Sequence, residues 1–183
     1  MAMISIQRDN PSLADVQQLL DDHLADMRAT SPTESVHALD HAALSQPGAT
    51  FWTVREDGVL LGCGALKQLD AEQGEIKSMR TAPVARGRGL AASLLGHIMA
   101  EARGRGYRHL YLETGSDAFF APARRLYARH GFAECEPFAD YVLDPHSVFM
   151  ELELDAGDGS RGTSGGQEVI GEPVPGCAAP DFQ

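Results

Sequence analysis

Apolar and polar residues change period several times along the chain, and each change marks an element. Residues 3–7 alternate as a half-buried strand does. Leu13, Val16, Leu20, Leu24 and Met27 then recur at helical spacing. They follow Pro11 and Ser12, with Asp15 three residues on, which predicts a helix start close to a capping box. Residues 28–48 are irregular or weakly helical. Residues 50–55 and 59–69 have strand patterns joined by the turn Glu56-Asp57-Gly58, and residues 75–81 form a further strand. From about residue 89 to 103, Leu90, Ala91, Leu94, Leu95, Ile98, Met99 and Ala102 keep one helix face apolar until Gly104 and Gly106 end it. Residues 107–113 predict a strand, 122–130 a helix closed by Gly131, and 132–136 and 148–154 two last strands. The order β-α-β-β-β-α-β-α-β-β, hairpins interrupted by helices, predicts an α/β (α+β) fold. Its mixed central sheet is flanked by helices and is not a doubly wound parallel sheet.

Composition divides the chain. The 28 residues from Ala156 onward hold seven Gly and three Pro and no apolar period. The pattern therefore predicts one domain over residues 1–154 and a disordered Gly/Pro-rich tail over 155–183. Net charge is −11, which argues against a general nucleic-acid binder. The longest weakly polar run, residues 89–100, is too short for the ~20 residues a bilayer requires. The first residues lack the pattern of a secretory signal. Three widely spaced cysteines (Cys63, Cys135, Cys177), without a Cys-x-x-Cys, fit a reduced cytoplasm. Charge is also uneven: residues 77–130 carry ten basic side chains against three acidic ones, a local +7 that leaves −18 to the rest. A basic middle in an acidic chain points to one local anionic ligand.

The most informative stretch is residues 75–91, EIKSMRTAPVARGRGLA. It reads as a strand, a loop punctuated by Gly87 and Gly89, and the start of the long helix. Glycines let backbone approach a ligand, and a first helical turn offers unpaired N–H groups at the positive end of the dipole. Together they form a phosphate cradle. The loop lacks the Gly-Lys-Ser/Thr of a P-loop and does not fit Gly-x-Gly-x-x-Gly, which disfavours nucleoside triphosphate and dinucleotide ligands.

Arg86-Gly87-Arg88-Gly89-Leu90-Ala91 resembles the acetyl-CoA motif of the GNAT N-acetyltransferases, Gln/Arg-x-x-Gly-x-Gly/Ala. Met79 to Pro83 is similar to the strand end that precedes that motif, with Thr81 in the usual Val position. Ala123-Arg-Arg-Leu-Tyr127, continuing to Gly131-Phe132, is similar to the family's Ala-x-x-Leu-Tyr-x-x-x-Gly-Phe. The resemblance covers roughly residues 3–154. It implies a GNAT fold in which the 75–81 strand splays from the 107–113 strand to hold acetyl-CoA as co-substrate. The N–H groups of Gly87, Arg88, Gly89, Leu90 and Ala91 would then hold the pyrophosphate, with charge from Arg86 and Arg88. The strand edge at Met79 and Thr81 would pair with pantetheine. Glu75 matches the general-base position of some members, acting through water, and Tyr127 the proton donor to the departing thiolate. Backbone at Met79 would polarise the thioester carbonyl. Phe120 departs from the family, many of whose members have Asn there.

The resemblance implies transfer of acetyl from acetyl-CoA to a primary amine of a small molecule or amino acid, by direct attack in a ternary complex. Two alternatives stay open: a protein or peptide acceptor, and a non-catalytic acyl-CoA sensor of the same fold. A homodimer is an assembly that relatives adopt. The pair His37 and His41 has metal-ligand spacing without a convincing third ligand, so no metal is expected. The segment with Arg28, Ser31, Ser35, His37 and Asp40 is a candidate lining for the acceptor pocket. Cys63, in an apolar run, reads as buried and not as a nucleophile.

Overall fold

The computed structural model describes residues 2–35 and 41–155. His37, Asp40 and all but the first residue of the 155–183 segment lie outside the described residues. Strands β1 (Ile4–Arg8), β2 (Ala49–Glu56), β3 (Val59–Gln68), β4 (Gln73–Thr81), β5 (His109–Gly115), β6 (Ala133–Glu134) and β7 (Ser147–Glu153) form one sheet in the order β1-β2-β3-β4-β5-β7-β6. Neighbours are antiparallel except β4 and β5, which run parallel. Helices α1 (Ala14–Thr30), α2 (His41–Leu44), α3 (Leu90–Gly104) and α4 (Ala121–Arg129) flank this mixed sheet, as the alternation of hairpins and helices predicts.

The period-2 strands divide their apolar residues between two cores. Trp52, Val54, Leu66 and Ile76 pack with Leu94, Leu95, Ile98 and Ala102 of α3. Phe51, Cys63 and Ala65 pack with Val16, Leu19 and Leu20 of α1. Each fully buried Leu or Ile contributes roughly 1.5–3 kcal/mol of burial, so these helices are fixed mainly by their apolar stripes. The start of α1 corrects the capping expectation. Its N-cap is Leu13, with no side-chain cap. Ser12 instead donates its N–H to the Asn10 side chain, and the Asp15 carboxylate pairs with Arg55. Loop contacts absent from the local pattern satisfy those groups.

Two further boundaries move. The fifth strand starts at His109, because Tyr107 turns inward against Gly74, where a Cβ would lie 2.8 Å from its ring. The strand predicted over 132–136 shrinks to Ala133–Glu134, as the chain beyond it folds over the sheet with Phe138 buried.

The feature that creates the site lies in β4. Pairing with β5 runs from Gln73 opposite His109 to Ile76 opposite Leu112 and stops there. On its other edge β4 shifts register between Cys63 and Ala65 of β3. Ser78 adopts a positive φ of 55°. The extra residue is a β-bulge, which bends its strand. The bend coincides with the parting of β4 from β5 and leaves the second half of β4 facing an open slot.

Candidate active site

Two cavities open around that parting. The larger, about 340 Å³, is bounded by the end of β4, the loop to α3, the first turns of α3 and the start of α4. The smaller, about 80 Å³, lies between α1, the middle of β4 and the end of β5. His23, Met79, Phe120, Ala123 and Tyr127 line both, so the cavities meet at these five residues.

Met79, Thr81, Arg86, Gly87, Leu90 and Ala91 all line the larger cavity. Gly87 and Gly89 have φ of 78° and 75°, the left-handed region in which a side chain is strained. A Cβ on either would meet nothing within 4 Å, so the loop backbone faces open space. None of the N–H groups from Gly87 to Ala91 has a backbone partner among the described residues. These are the donors and the clearance that a pyrophosphate requires. Arg88 is placed differently from Arg86. Its guanidinium makes two bonds to the Glu56 carboxylate, 3.0 and 2.5 Å, and ties the loop to β2. The side chain therefore adds no charge to the cavity wall.

Other members of the basic segment are similarly engaged. Arg80 pairs with Asp26 of α1, Arg105 with Glu101, and Arg124 donates to the carbonyls of Gly115 and Asp117. Arg80 retains one buried nitrogen, Nε, with no hydrogen-bond partner, and nearby Ser78 Oγ is also unpartnered.

Tyr127 projects from α4 to the junction of the cavities. Burial, and then the negative charge of Glu113, push its hydroxyl well above the ordinary tyrosine range, which keeps it a proton donor. Phe120, the residue that departs from the family pattern, seats its ring directly on Gly115. A Cβ at Gly115 would lie 2.1 Å from Phe120 Cδ2, so the aromatic ring and the glycine occupy this corner as a pair.

Glu75 lies in the part of β4 still paired on both sides, opposite Lys67 and Tyr111. It does not line either cavity. Its buried carboxylate accepts from Lys77 Nζ at 3.0 Å and from Tyr141 Oη at 2.5 Å, and Lys77 Nζ donates to Tyr141 Oη at 2.6 Å. Lys77, not Glu75, reaches the smaller cavity. Lys77 shares Glu75's strand face two residues on, a relation readable from alternation. Tyr141 arrives from a distant loop, held by ring contacts with Phe138 at 4.9 Å and Phe149 at 5.5 Å.

Cys63 is fully buried, and its thiol donates to the Ser78 carbonyl at 3.4 Å. Burial pushes that thiol up to about 12, so almost none is thiolate near neutral pH. Cys135 is raised to about 11, also chiefly by burial. His41 contacts Asp21 at 3.0 Å. Among the described residues no three His, Cys, Asp or Glu side chains are grouped to hold a metal, and no helix is long and apolar enough to cross a membrane.

Comparison with known proteins agrees with this geometry. The sequence model of the acetyltransferase (GNAT) family matches residues 16–132. The uncharacterized N-acetyltransferase YsnE of Bacillus subtilis strain 168 is 51% identical over 149 residues, 81% of this chain and 99% of that protein. The IAA acetyltransferase of Azospirillum brasilense is 40% identical over 159 residues, 84% of this chain and 100% of that one. A crystal structure from Klebsiella pneumoniae, described as an acyl-CoA N-acyltransferase, superposes with a TM-score of 0.68 at 31% identity, covering 83% of this chain and 98% of that one. The splayed β4, the glycine loop and the sequence likeness converge: this chain belongs to the GNAT family and is an acetyl-CoA-dependent N-acetyltransferase.

Proposed function

We propose that the enzyme transfers acetyl from acetyl-CoA to the primary amine of a small molecule or amino acid, by direct attack with both substrates bound. The observation that carries this reading is the meeting of two cavities at one set of residues. The larger takes the co-substrate along the edge of β4, its pyrophosphate on the N–H groups of residues 87–91 and its thioester toward Met79. The smaller admits the amine to the same point from the side of α1 and β5. At about 80 Å³ it suits a small acceptor, as does the likeness to a protein named an IAA acetyltransferase.

Each wall has a task in this scheme. The register shift leaves Ser78 and Met79 without a paired residue on β3 or β5, which frees the backbone at Met79 to address the thioester carbonyl. Tyr127, held protonated, gives its proton to the departing sulfur. Glu75 acts at one remove, anchoring Lys77 against the acceptor cavity together with Tyr141. With its thiol raised to about 12, Cys63 supplies no nucleophile for an acetyl-enzyme.

The test is release of free CoA thiol from acetyl-CoA against a panel of amino acids, polyamines, aminoglycosides and short peptides. Release that depends on a small amine is the expected result. Release only with peptides would move the acceptor to the protein class, and silence across the panel with acetyl-CoA still bound would favour a sensor. The Tyr127→Phe enzyme is expected to lose about 10²-fold in kcat while its acetyl-CoA affinity, read by calorimetry, stays near wild type.

A further inference from the structure

Glu75 is closed off behind Lys77 and Tyr141, so β4 offers the attacking amine no direct proton acceptor. Of the five residues common to both cavities, Met79, Phe120 and Ala123 are apolar, and only Tyr127 and His23 carry polar side chains. His23 comes from α1, on the stripe that buries Leu19, Leu20 and Met27. We infer that His23 is a catalytic residue, the group that takes the proton from the attacking amine; this rests on the acetyl-transfer reading above.

The surroundings suit that task. Neither ring nitrogen has a hydrogen-bond partner among the described residues, so a lone pair is available to a substrate. Arg80 from β4 and Asp26 from its own helix act on the ring. Lys77 from β4, Glu113 from β5 and Tyr127 from α4 line the smaller cavity with it, and Cys63 from β3 and Arg86 from the loop before α3 line the larger one. Burial, and then the positive charge of Arg80, lower the imidazole to about 4 against the opposing pull of Asp26. The ring therefore stays neutral near pH 7.

A base this weak does not deprotonate a resting ammonium, so the amine enters as its free base. Once nitrogen has attacked the carbonyl carbon it is cationic and its N–H is far more acidic, and His23 accepts that proton. The N–C bond forms, the C–S bond breaks with its electron pair going to sulfur, and Tyr127 protonates the thiolate. Solvent then carries the proton of the imidazolium back to the tyrosinate. The sum is amine plus thioester giving amide plus thiol.

The experiment compares wild type with His23→Gln and His23→Ala, using an amine found active by thiol release, with acetyl-CoA binding measured in parallel. The expected result is a loss of about 10²–10³-fold in kcat for His23→Gln, acetyl-CoA affinity unchanged within about two-fold, and partial recovery of His23→Ala by added imidazole. The wild-type kcat falls as pH drops toward 4, a limb the Gln variant lacks. Retention of kcat within about three-fold in the Gln variant overturns the assignment while leaving acetyl transfer intact. Equal loss of acetyl-CoA binding also overturns it, since His23 would then be a packing residue. If wild type itself releases no thiol with any amine, the acetyl-transfer reading fails and this assignment falls with it.

Discussion

The co-substrate side and the acceptor side of the slot are built in opposite ways. The first takes its backbone cradle from a single run of sequence: residues 79–91 supply a strand edge, a glycine loop and a helix N-terminus, to which the start of α4 adds the facing wall of the larger cavity. The second is assembled from α1, β4, β5 and α4, which bring His23, Lys77, Glu113 and Tyr127 together. Its buried ion pair is completed by Tyr141, 66 residues after Glu75. A local site depends on backbone conformation at a few positions. A site assembled from distant segments depends on long-range pairs, so its failures should be larger and should reach stability.

The largest expected effect is therefore on the acceptor side. Glu75→Ala leaves the Lys77 ammonium, only 7% exposed, without its carboxylate, and breaking a buried pair costs about 3–5 kcal/mol. Thermal and chemical denaturation should report that loss, and adding Lys77→Met should recover most of it. A double variant no more stable than the single would break the comparison.

Next comes a pH effect from His23. The unfolded chain binds a proton at this ring below its ordinary value of 6.5, whereas the folded chain binds it only near 4. Stability therefore falls as pH drops through that window, by about 3 kcal/mol. Unfolding by urea at pH 7 and pH 4.5 should show this loss in wild type, and a shallower one in His23→Gln.

On the co-substrate side the expected changes are smaller. Gly89→Ala forces a side chain into a φ of 75° at the N-cap of α3, a strain of about 1–2 kcal/mol. It should weaken acetyl-CoA by about ten-fold in calorimetry and leave the acceptor KM unchanged. Smallest of all is Arg88→Ala, because its pair with Glu56 is exposed and screened by solvent. Acetyl-CoA affinity should stay within about two-fold, and a large loss would mean that the Arg88 side chain leaves Glu56 to reach the ligand.

The same contrast explains what the sequence discloses. Arg86 to Ala91 and the apolar face of α3 are local patterns, and the structure brings Arg86, Gly87, Leu90, Ala91 and Leu94 to one cavity. Cys63 is legible as buried from its apolar run alone. Arg88 illustrates the limit of the co-substrate motif: its position is local, but its partner Glu56 lies across the sheet. His23 stands three residues after Leu20 and four before Met27, which places it on the inward stripe of α1. That signal was available, although helical spacing does not say what lies opposite. Glu75 and Lys77 alternate onto one face, but nothing near them announces Tyr141. The parting of β4 from β5 coincides with a bulge at Ser78, a residue with no special preference for positive φ, so local propensity does not mark it.

The central claim is that acetyl passes directly between two substrates bound together at the meeting point of the two cavities. Initial rates of thiol release, measured over a grid of acetyl-CoA and amine concentrations, test it most directly. Intersecting double-reciprocal lines are the predicted result. Parallel lines, with an acetylated cysteine found in the absence of amine, would contradict it.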